Sequence, residues 1–370
     1  GSCSFMTAID SIALNQKLWI VENDFRTHAL DIRNLPDFIT PEGLGKCAES
    51  KEQSLEVVKR EFGNMLTHRC GTWWMDLISG GSWEDKDIWK LIGDDLSKLY
   101  YELLDSPEPF VPEVGELVDE TALRKLRYSP NGPLMTYSPV YDFLCRQARD
   151  VFNRSGASTG YYFLDDILED RVPECKVYWF LNAFDLSEES AEIIKNRLVR
   201  TDSSAVWQYA PCFLNPALAE GLTGFVYEKG SGLMGSRGEG ILRDLNWGEG
   251  FCLTPRMSVS GDNSVVLGRF LEDNTISTAM TDKAGYTSFF VGDIQLNSEM
   301  VAAVIQKAGV HCWTAPGSMV QTDGRFLFLH GGEESCQLNL PAGIDASTLD
   351  GIESTACQPF QTRIFRLNCL

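Results

Sequence analysis

Short apolar runs alternate with helical periodicities along most of this chain. Leu18 to Val21 is apolar and stops at once in Glu22, Asn23 and Asp24. A run of that length predicts a buried strand over 17–22. Residues 29–47, with Pro36, Pro41, Gly43 and Gly45, read as a loop. Leu55, Val58, Phe62, Met65 and Leu66 then recur at helical spacing, which predicts a helix over 51–68 that Gly71 stops. Thr72 to Leu77 (TWWMDL) reads as a second buried strand ending in an acid. After Gly80 and Gly81, residues Asp85 to Leu104 read as a helix with Ile88, Leu91, Ile92, Leu96 and Leu99 on one side. Strand, helix, strand, helix is the repeat of a parallel α/β domain. Only two such units are present, and a closed barrel needs eight.

Pro107, Pro109 and Pro112 mark a stiff linker, and a domain boundary is expected near 108. Strands follow at Val114 to Val118, Gly160 to Leu164, Cys175 to Ala183 and Ala205 to Ala210. Helices are expected at Ser138 to Phe152 and from Ser187, as N-cap, to Val199. That alternation predicts a second α/β region with a parallel sheet covered on both faces. Residues 221–250 are glycine-rich and read as loop. The run 230–240 (GSGLMGSRGEG) fits neither phosphate-binding glycine pattern and reads as a mobile surface loop. Ser264 to Leu271, Ile276 to Thr281 and Tyr286 to Val291 read as strands, and Ser298 to Ala308 as a helix capped by Ser298. Beyond Gly309 come only short strands, at Phe326 to Leu329, Gln337 to Leu340 and Arg363 to Leu367, which predict a small β domain. The expected division is therefore 1–108, 109–310 and 311–370.

Charge narrows the partners. The 370 residues hold 32 basic and 52 acidic side chains, a net charge of −20. This argues against binding to nucleic acid or to an anionic membrane. No apolar stretch approaches the length of a membrane span. The 11 cysteines are scattered without paired spacing, which reads as reduced thiols in a reducing, cytoplasmic compartment. No signal peptide is visible. Secretion stays open, because the sequence is expected to start inside a catalytic domain. His28, His68, His311 and His330 are far apart, and no metal-ligand spacing or cofactor signature is present.

Glu22 is the candidate with the clearest chemistry. Polar groups bunched at the carboxyl end of a barrel strand are how such enzymes present catalytic side chains. A retaining glycosidase needs one carboxylate as nucleophile and a second as acid/base. A strand-terminal Glu suits the first role, and a solvated acid at a strand end is the alternative. Asp24, Arg26 and His28 crowd the same loop. Arg26 has the fork geometry to hold a carboxylate, His28 to bind a sugar hydroxyl or cap the loop, and a structural ion pair is the other reading of each. Trp73, Trp74 and Trp83 gather at the second strand. One of the adjacent pair Trp73/Trp74 points to each face, so one reads as pocket wall and one as core. Asp76 is a weaker candidate. In the second region Asn182, Ala183 and Phe184, and Tyr209, Ala210 and Pro211, follow strands where a cleft is possible. Cys212 has no histidine nearby in sequence.

In this order the runs resemble the C-terminal portion of a β-galactosidase of glycoside hydrolase family 42, over nearly the whole chain. KLWIVENDFRTH (17–28) resembles the seventh barrel strand and its loop, and LTHRCGTWWMDL (66–77) the last helix-to-strand passage. VYWFLNAFDLSEESAEIIKNRL, AVWQYAP and AGYTSFFVGDIQLNSEMVAAVIQKAGVH resemble the flavodoxin- or glutamine-amidotransferase-like module that drives trimerisation. GRFLFLH and QLNLP resemble the small C-terminal β domain. The resemblance implies Glu22 as nucleophile, with the acid/base carboxylate on a barrel strand that has no counterpart here. It implies Asp24, Arg26, His28, Trp73, Trp74 and Asp76 around a galactoside or oligosaccharide substrate, a homotrimer, no cofactor, and an amidotransferase-like module without its catalytic cysteine. On this reading the chain by itself is inactive. The alternative is a non-catalytic trimerisation or carbohydrate-binding scaffold. A third reading, an amidotransferase-like enzyme, would rest on Cys212.

Overall fold

Two parallel strands carry the first candidate residues: β1, Ile20–Asn23, and β2, Gly71–Trp74. Both are shorter than the apolar runs that announced them, and β1 is buried only at Asn23. Leu18 and Ile20 are 70% and 58% exposed. Among the described residues β1 has one neighbouring strand, so its other edge and one face have no covering layer. The computed structural model describes residues 5–31, 33, 47–76, 80–105, 111–126, 139–248, 250, 252–260 and 264–369. Most of the expected 29–47 loop, the end of the strand expected over Thr72 to Leu77, and the linker prolines Pro107 and Pro109 lie outside them.

The predicted helix runs Lys51–Thr67. Ser50 caps it by accepting from the Gln53 N–H, and Val58, Phe62, Met65 and Leu66 are buried. The second predicted helix is an α-helix over Lys86–Lys90, a π-helical stretch over Leu91–Leu96 and an α-helix over Ser97–Asp105. Asp85 is its N-cap, accepting from Asp87 and Ile88 N–H groups.

The next strands are β3 (Val114–Val118), β4 (Thr159–Phe163), β5 (Val177–Phe180) and β6 (Ser204–Gln208). They are followed by β7 (Val226–Leu233), β8 (Ser236–Gly238), β9 (Asn246–Trp247), β10 (Cys252–Ser260), β11 (Val265–Phe270), β12 (Ile276–Lys283) and β13 (Tyr286–Val291). All eleven form one sheet. Its parallel half lies in the order β4-β3-β5-β6-β13, which is 2-1-3-4-5 in chain order, a doubly wound arrangement. Both faces are covered: Val114, Trp179 and Val206 face one core, and Tyr178, Phe180 and Trp207 the other. Phe180 and Trp207 stack with centroids 4.2 Å apart.

Three expectations for this region need correction. The expected loop over 221–250 holds three strands: β7, β8 and β9 make an antiparallel extension with β10, β11 and β12. Their glycines and charges carry no apolar alternation, so pairing rather than burial defines them; at Gly232 a Cβ would meet the Arg256 guanidinium at 2.7 Å. The last helix, Ser298–Lys307, is capped by Asn297, whose side chain accepts from the Met300 N–H at 2.9 Å, and not by Ser298. Residues 5–14 do not belong with β1. Helix Ile9–Leu14 lies at the edge strand β4, where Asp10 accepts from the Tyr161 N–H and Ser11 from the Phe163 N–H, both at 2.7 Å. Those N–H groups would otherwise be an open sheet edge.

The remaining strands are β14 (Met319–Thr322), β15 (Phe326–His330), β16 (Cys336–Gln337), β17 (Ile344–Thr348), β18 (Ala356–Cys357) and β19 (Thr362–Cys369). β14-β15-β19-β17 is an antiparallel sheet, and β16 pairs with β18. Helix Lys51–Thr67 packs on this sheet. Glu56 accepts from the Thr362 N–H at 2.5 Å, Lys59 donates to the Thr362 carbonyl at 3.1 Å, and His68 and Gln321 meet at 3.2 Å. The chain accordingly divides into two compact units, Gly1–Leu14 with Val111–Gly317, and Asn15–Phe110 with Ser318–Leu370. These bounds differ from the expected 108 and 310. Residues up to Gly317 stay with the large sheet because Trp313 and Gly317 donate their N–H groups to Gly156 and Arg154 carbonyls.

Candidate functional site

The register of β1 on β2 sets the geometry of the candidate site. Glu22 stands opposite Trp73 and Asn23 opposite Trp74. Side chains alternate along a strand, so Ile20, Glu22 and Trp73 share one face and Val21, Asn23, Thr72 and Trp74 the other. The first face is open. Glu22 is exposed, Trp73 is 53% exposed, and Glu22 has no hydrogen-bond or ion-pair partner among the described residues. The second face is packed. Asn23 is buried and donates to Thr72 Oγ1 at 2.6 Å, and Thr72 donates on to the Val21 carbonyl at 3.1 Å. Trp74 lies 5.0 Å from Trp83 and edge-on to Phe25 at 6.4 Å. Buried Trp83 is held by its Nε1–H donating to the Met75 carbonyl at 2.9 Å.

The loop after β1 is tied down away from the carboxylate. Arg26 Nη1 is 3.8 Å from Asp24 Oδ2, a long contact to an exposed partner, and Arg26 Nε is buried without a partner among the described residues. His28 reaches elsewhere: its Nδ1 is 2.9 Å from Ser54 Oγ and its Nε2 is 3.3 Å from Asp85 Oδ2. Lys51 Nζ is 3.4 Å from the same Asp85 oxygen. Burial works to raise the Asp85 pKa, but the Asp87 and Ile88 N–H groups and Lys51 outweigh it and hold the carboxyl below its usual range. His28 thus joins the starts of helices Lys51–Thr67 and Lys86–Lys90. Asp76 closes the turn after β2, accepting from the Gly81 N–H at 3.0 Å, while its Oδ1 is buried without a partner among the described residues.

Of the seven candidates, the structure therefore brings Glu22 and Trp73 together on one face, sends Trp74 to the packed face, and gives Arg26, His28 and Asp76 contacts of their own. Asn23, Phe25, Ser54 and Asp85 support this loop and were not singled out from the sequence. Asp85 carried a readable signal, since an Asp directly before a helical run is an N-cap; the others form long-range contacts that spacing does not disclose. No group of three metal-ligating side chains occurs among the described residues.

In the doubly wound sheet a ligand crevice is expected where the strand order reverses, outside the carboxyl ends of β3 and β5. There the two strand ends are tied to each other. The Asn182 amide accepts from the Asp119 N–H at 2.7 Å and donates to the Asp119 carbonyl at 2.9 Å. Tyr209, at positive φ after β6, donates its hydroxyl to the Pro255 carbonyl at 2.6 Å. Cys212 is fully buried, and burial pushes its thiol up to about 12. Buried there, the thiol is out of reach of an external substrate, which argues against an amidotransferase-like reaction at Cys212.

Comparison with solved structures places this fold. The chain is similar to the β-galactosidase from Bacillus circulans sp. alkalophilus, with a TM-score of 0.62 and 13% identity over 99% of this chain and 59% of that one. It is similar to the β-galactosidase from Rahnella sp. R3, with a TM-score of 0.61 and 12% identity over 98% of this chain and 57% of that one. An α-L-fucosidase from Paenibacillus thiaminolyticus matches with a TM-score of 0.50 and 10% identity over 85% of this chain and 57% of that one. The fold is thus glycoside hydrolase-like, and of the kind found in these β-galactosidases. The chain spans less than three fifths of the length of the enzymes just named. No protein-family model matches the sequence, and no curated protein matches it. No helix among the described residues is long and apolar enough to cross a membrane.

Proposed function

We propose that this chain is the nucleophile-bearing part of a retaining glycoside hydrolase of the family 42 kind, acting on β-galactosides or related glycosides. Glu22 attacks the anomeric carbon, and a second carboxylate, outside this chain, protonates the departing oxygen and then activates water. The observation that carries the reading is the parallel pairing that sets Glu22 beside Trp73 on an open strand face at the carboxyl end of β1. An indole there offers a flat apolar surface to the C–H face of a sugar ring, and a rigid strand end holds the nucleophile in place. Asp24, Arg26, His28, Trp74 and Asp76 shape the loops around it. Residues 15–105 belong to the end of a barrel, the doubly wound sheet to a flavodoxin- or amidotransferase-like trimerisation module, and 318–369 to a small C-terminal β domain. The protein works in the cytoplasm as a homotrimer. Edge strand β7 pairs only with β10 among the described residues, so its other edge is open to a second copy.

The test is covalent trapping. From a 2-deoxy-2-fluoro-galactoside carrying a dinitrophenyl group, dinitrophenolate departs without acid help as the nucleophile bonds to the anomeric carbon, which leaves the sugar on the enzyme. Incubated with this chain and, where its gene encodes barrel strands upstream, with the chain joined to them, it should label the peptide containing Glu22, and Glu22→Gln should abolish labelling and turnover of aryl β-galactosides. Labelling at another carboxylate, or full turnover by Glu22→Gln, defeats the assignment. Hydrolysis by neither protein, in a homogeneous trimer by light scattering, would favour the non-catalytic scaffold.

A further inference from the structure

Two cysteines stand directly opposite one another in the C-terminal part. Cys336 on β16 pairs in register with Cys357 on β18, in a ladder of only two residue pairs. Opposite residues in an antiparallel ladder have Cα atoms roughly 4.5–5.5 Å apart, inside the span that a disulfide bridges, about 4.4–6.8 Å. Opposite residues of a ladder present their side chains on the same face, so the two thiols are neighbours. Both are reduced in this structure. Cys357 is fully buried, with its Sγ 3.1 Å from the Gln361 carbonyl and 3.5 Å from that of Leu329, while Cys336 is half-buried.

We infer that Cys336 and Cys357 form an oxidation site, in which a low-molecular-weight disulfide such as oxidised glutathione converts the pair into a staple across β16 and β18. The accessible Cys336 sulfur attacks first, displacing one glutathione as its thiol and forming a mixed disulfide. The Cys357 sulfur then attacks Cys336 Sγ and displaces the second glutathione. The two protein thiols lose two electrons, the small disulfide gains them, and both protons leave on the released thiols. No backbone rearrangement is needed, because the ladder already holds both Cβ atoms on one side.

The staple closes the segment 337–356, which Arg363 also holds by donating to the Ala356 and Ile352 carbonyls at 2.7 and 2.6 Å, and β17 by pairing with β19. Beside the two-pair ladder, Leu338 donates its N–H to the Thr355 carbonyl at 3.0 Å, and Gln337 bonds the Thr355 hydroxyl. A cross-link there limits the unfolded chain and raises the stability of the oxidised form. The adjacent Cys336 thiol and burial push the Cys357 thiol up, so the resolving step slows as pH falls.

The experiment uses the whole 370-residue chain. It is incubated with oxidised glutathione, its remaining thiols are alkylated, and it is digested without reduction for peptide mass analysis. The expected product is a linked pair of peptides carrying Cys336 and Cys357, lighter by two hydrogens and lost on treatment with dithiothreitol. Exposed Cys252 and Cys369, carrying glutathione, show that exchange took place. Glutathione retained on Cys336 beside an alkylated Cys357, or linkage of either residue to Cys252 or Cys369, overturns the inference. Because Cys336 is half-buried, Cys336→Ser is the companion variant. Oxidation should raise the urea midpoint of the wild-type chain and leave that of Cys336→Ser unmoved; an unchanged or lowered wild-type midpoint refutes the staple.

Discussion

Gly63 offers a sharp test of how helix Lys51–Thr67 meets the antiparallel sheet. It is buried in mid-helix, where glycine costs about 1 kcal/mol relative to alanine. Substitution by alanine would therefore stabilise an unobstructed helix by about that amount. Here a Cβ would lie 2.6 Å from Phe328 Cδ1 and 2.8 Å from Phe328 Cβ. Phe328 is on β15, is 2% exposed, and is clamped between β14 and β19. Its ring cannot swing away without leaving the core, and overpacking of this kind costs about 1–3 kcal/mol. Gly63→Ala should thus destabilise by up to roughly 2 kcal/mol, the clash outweighing the propensity gain. Phe328→Ala should cost about 3–5 kcal/mol on its own. In that background the ring is gone, and Gly63→Ala becomes neutral or stabilising by up to about 1 kcal/mol.

The sign reversal is the diagnostic, read as the coupling in a double-mutant cycle of urea midpoints at constant slope. A coupling of about 2 kcal/mol is expected from these figures. Gly63→Ala that stabilises the wild-type chain, or a coupling near zero, would refute the packing of the helix on β15 through Gly63.

Two further outcomes follow from burial. Trp83→Ala should cost about 3–5 kcal/mol, because it removes a buried ring from the cluster with Phe25 and Trp74, whereas Trp73→Ala should cost about 1 kcal/mol or less; equal losses in denaturant melts would show that the open and packed faces are misassigned. Asp293, fully buried, accepts from the Gly235 N–H and the Ser236 hydroxyl, each at 3.2 Å, and burial raises its pKa from 3.8 to about 7. The folded chain keeps a proton that the unfolded chain releases, so this group's contribution to stability is complete below pH 4 and is lost as pH rises towards 7. The loss is of the order of 4 kcal/mol. Urea melts at pH 5 and pH 7.5 should show wild type losing more stability than Asp293→Asn over that interval, and parallel losses would show that Asp293 is ionised throughout.

Much of the doubly wound sheet was legible because its strands are continuous apolar runs between glycines and polar turns. β3, β5, β6 and β13 fall within a few residues of their predicted spans. β7 to β9 were not, since Gly230, Gly232 and the charged residues between 226 and 247 carry no alternation and pair only because β10 and β11 lie alongside. The placement of residues 5–14 was also out of reach: Asp10 meets Tyr161 across 151 residues of sequence. The cap at Asn297 was missed for a smaller reason, two adjacent residues both able to cap. At the candidate site, the acid at the end of an apolar run and the Trp pair could be read directly. That Glu22 faces Trp73 and not Trp74 depends on the parallel register, which alternation within one strand cannot supply.

The two faces of the β1–β2 pair together constrain what a functional form must contain. One face is finished: Asn23, Thr72 and Trp74 have their partners, and the ring cluster with Phe25 and Trp83 is closed. The other presents Ile20, Glu22 and Trp73 with no layer over them among the described residues. Covering Ile20 and the exposed part of Trp73 is favourable by roughly 1–2 kcal/mol each, whereas covering an unpaired Glu22 carboxylate is costly unless donors come with the cover. Retaining hydrolysis makes the same demand for a different reason, since it needs a second carboxyl about 5–5.5 Å from the nucleophile and donors for the sugar hydroxyls. If Glu22 is the nucleophile, what covers this face must therefore bring an acid together with apolar surface. A cover that buried Ile20 and Trp73 but brought no acid would leave Glu22 destabilised and idle. The trapping experiment separates these cases, because a dinitrophenyl leaving group needs the cover and the sugar site but not the acid.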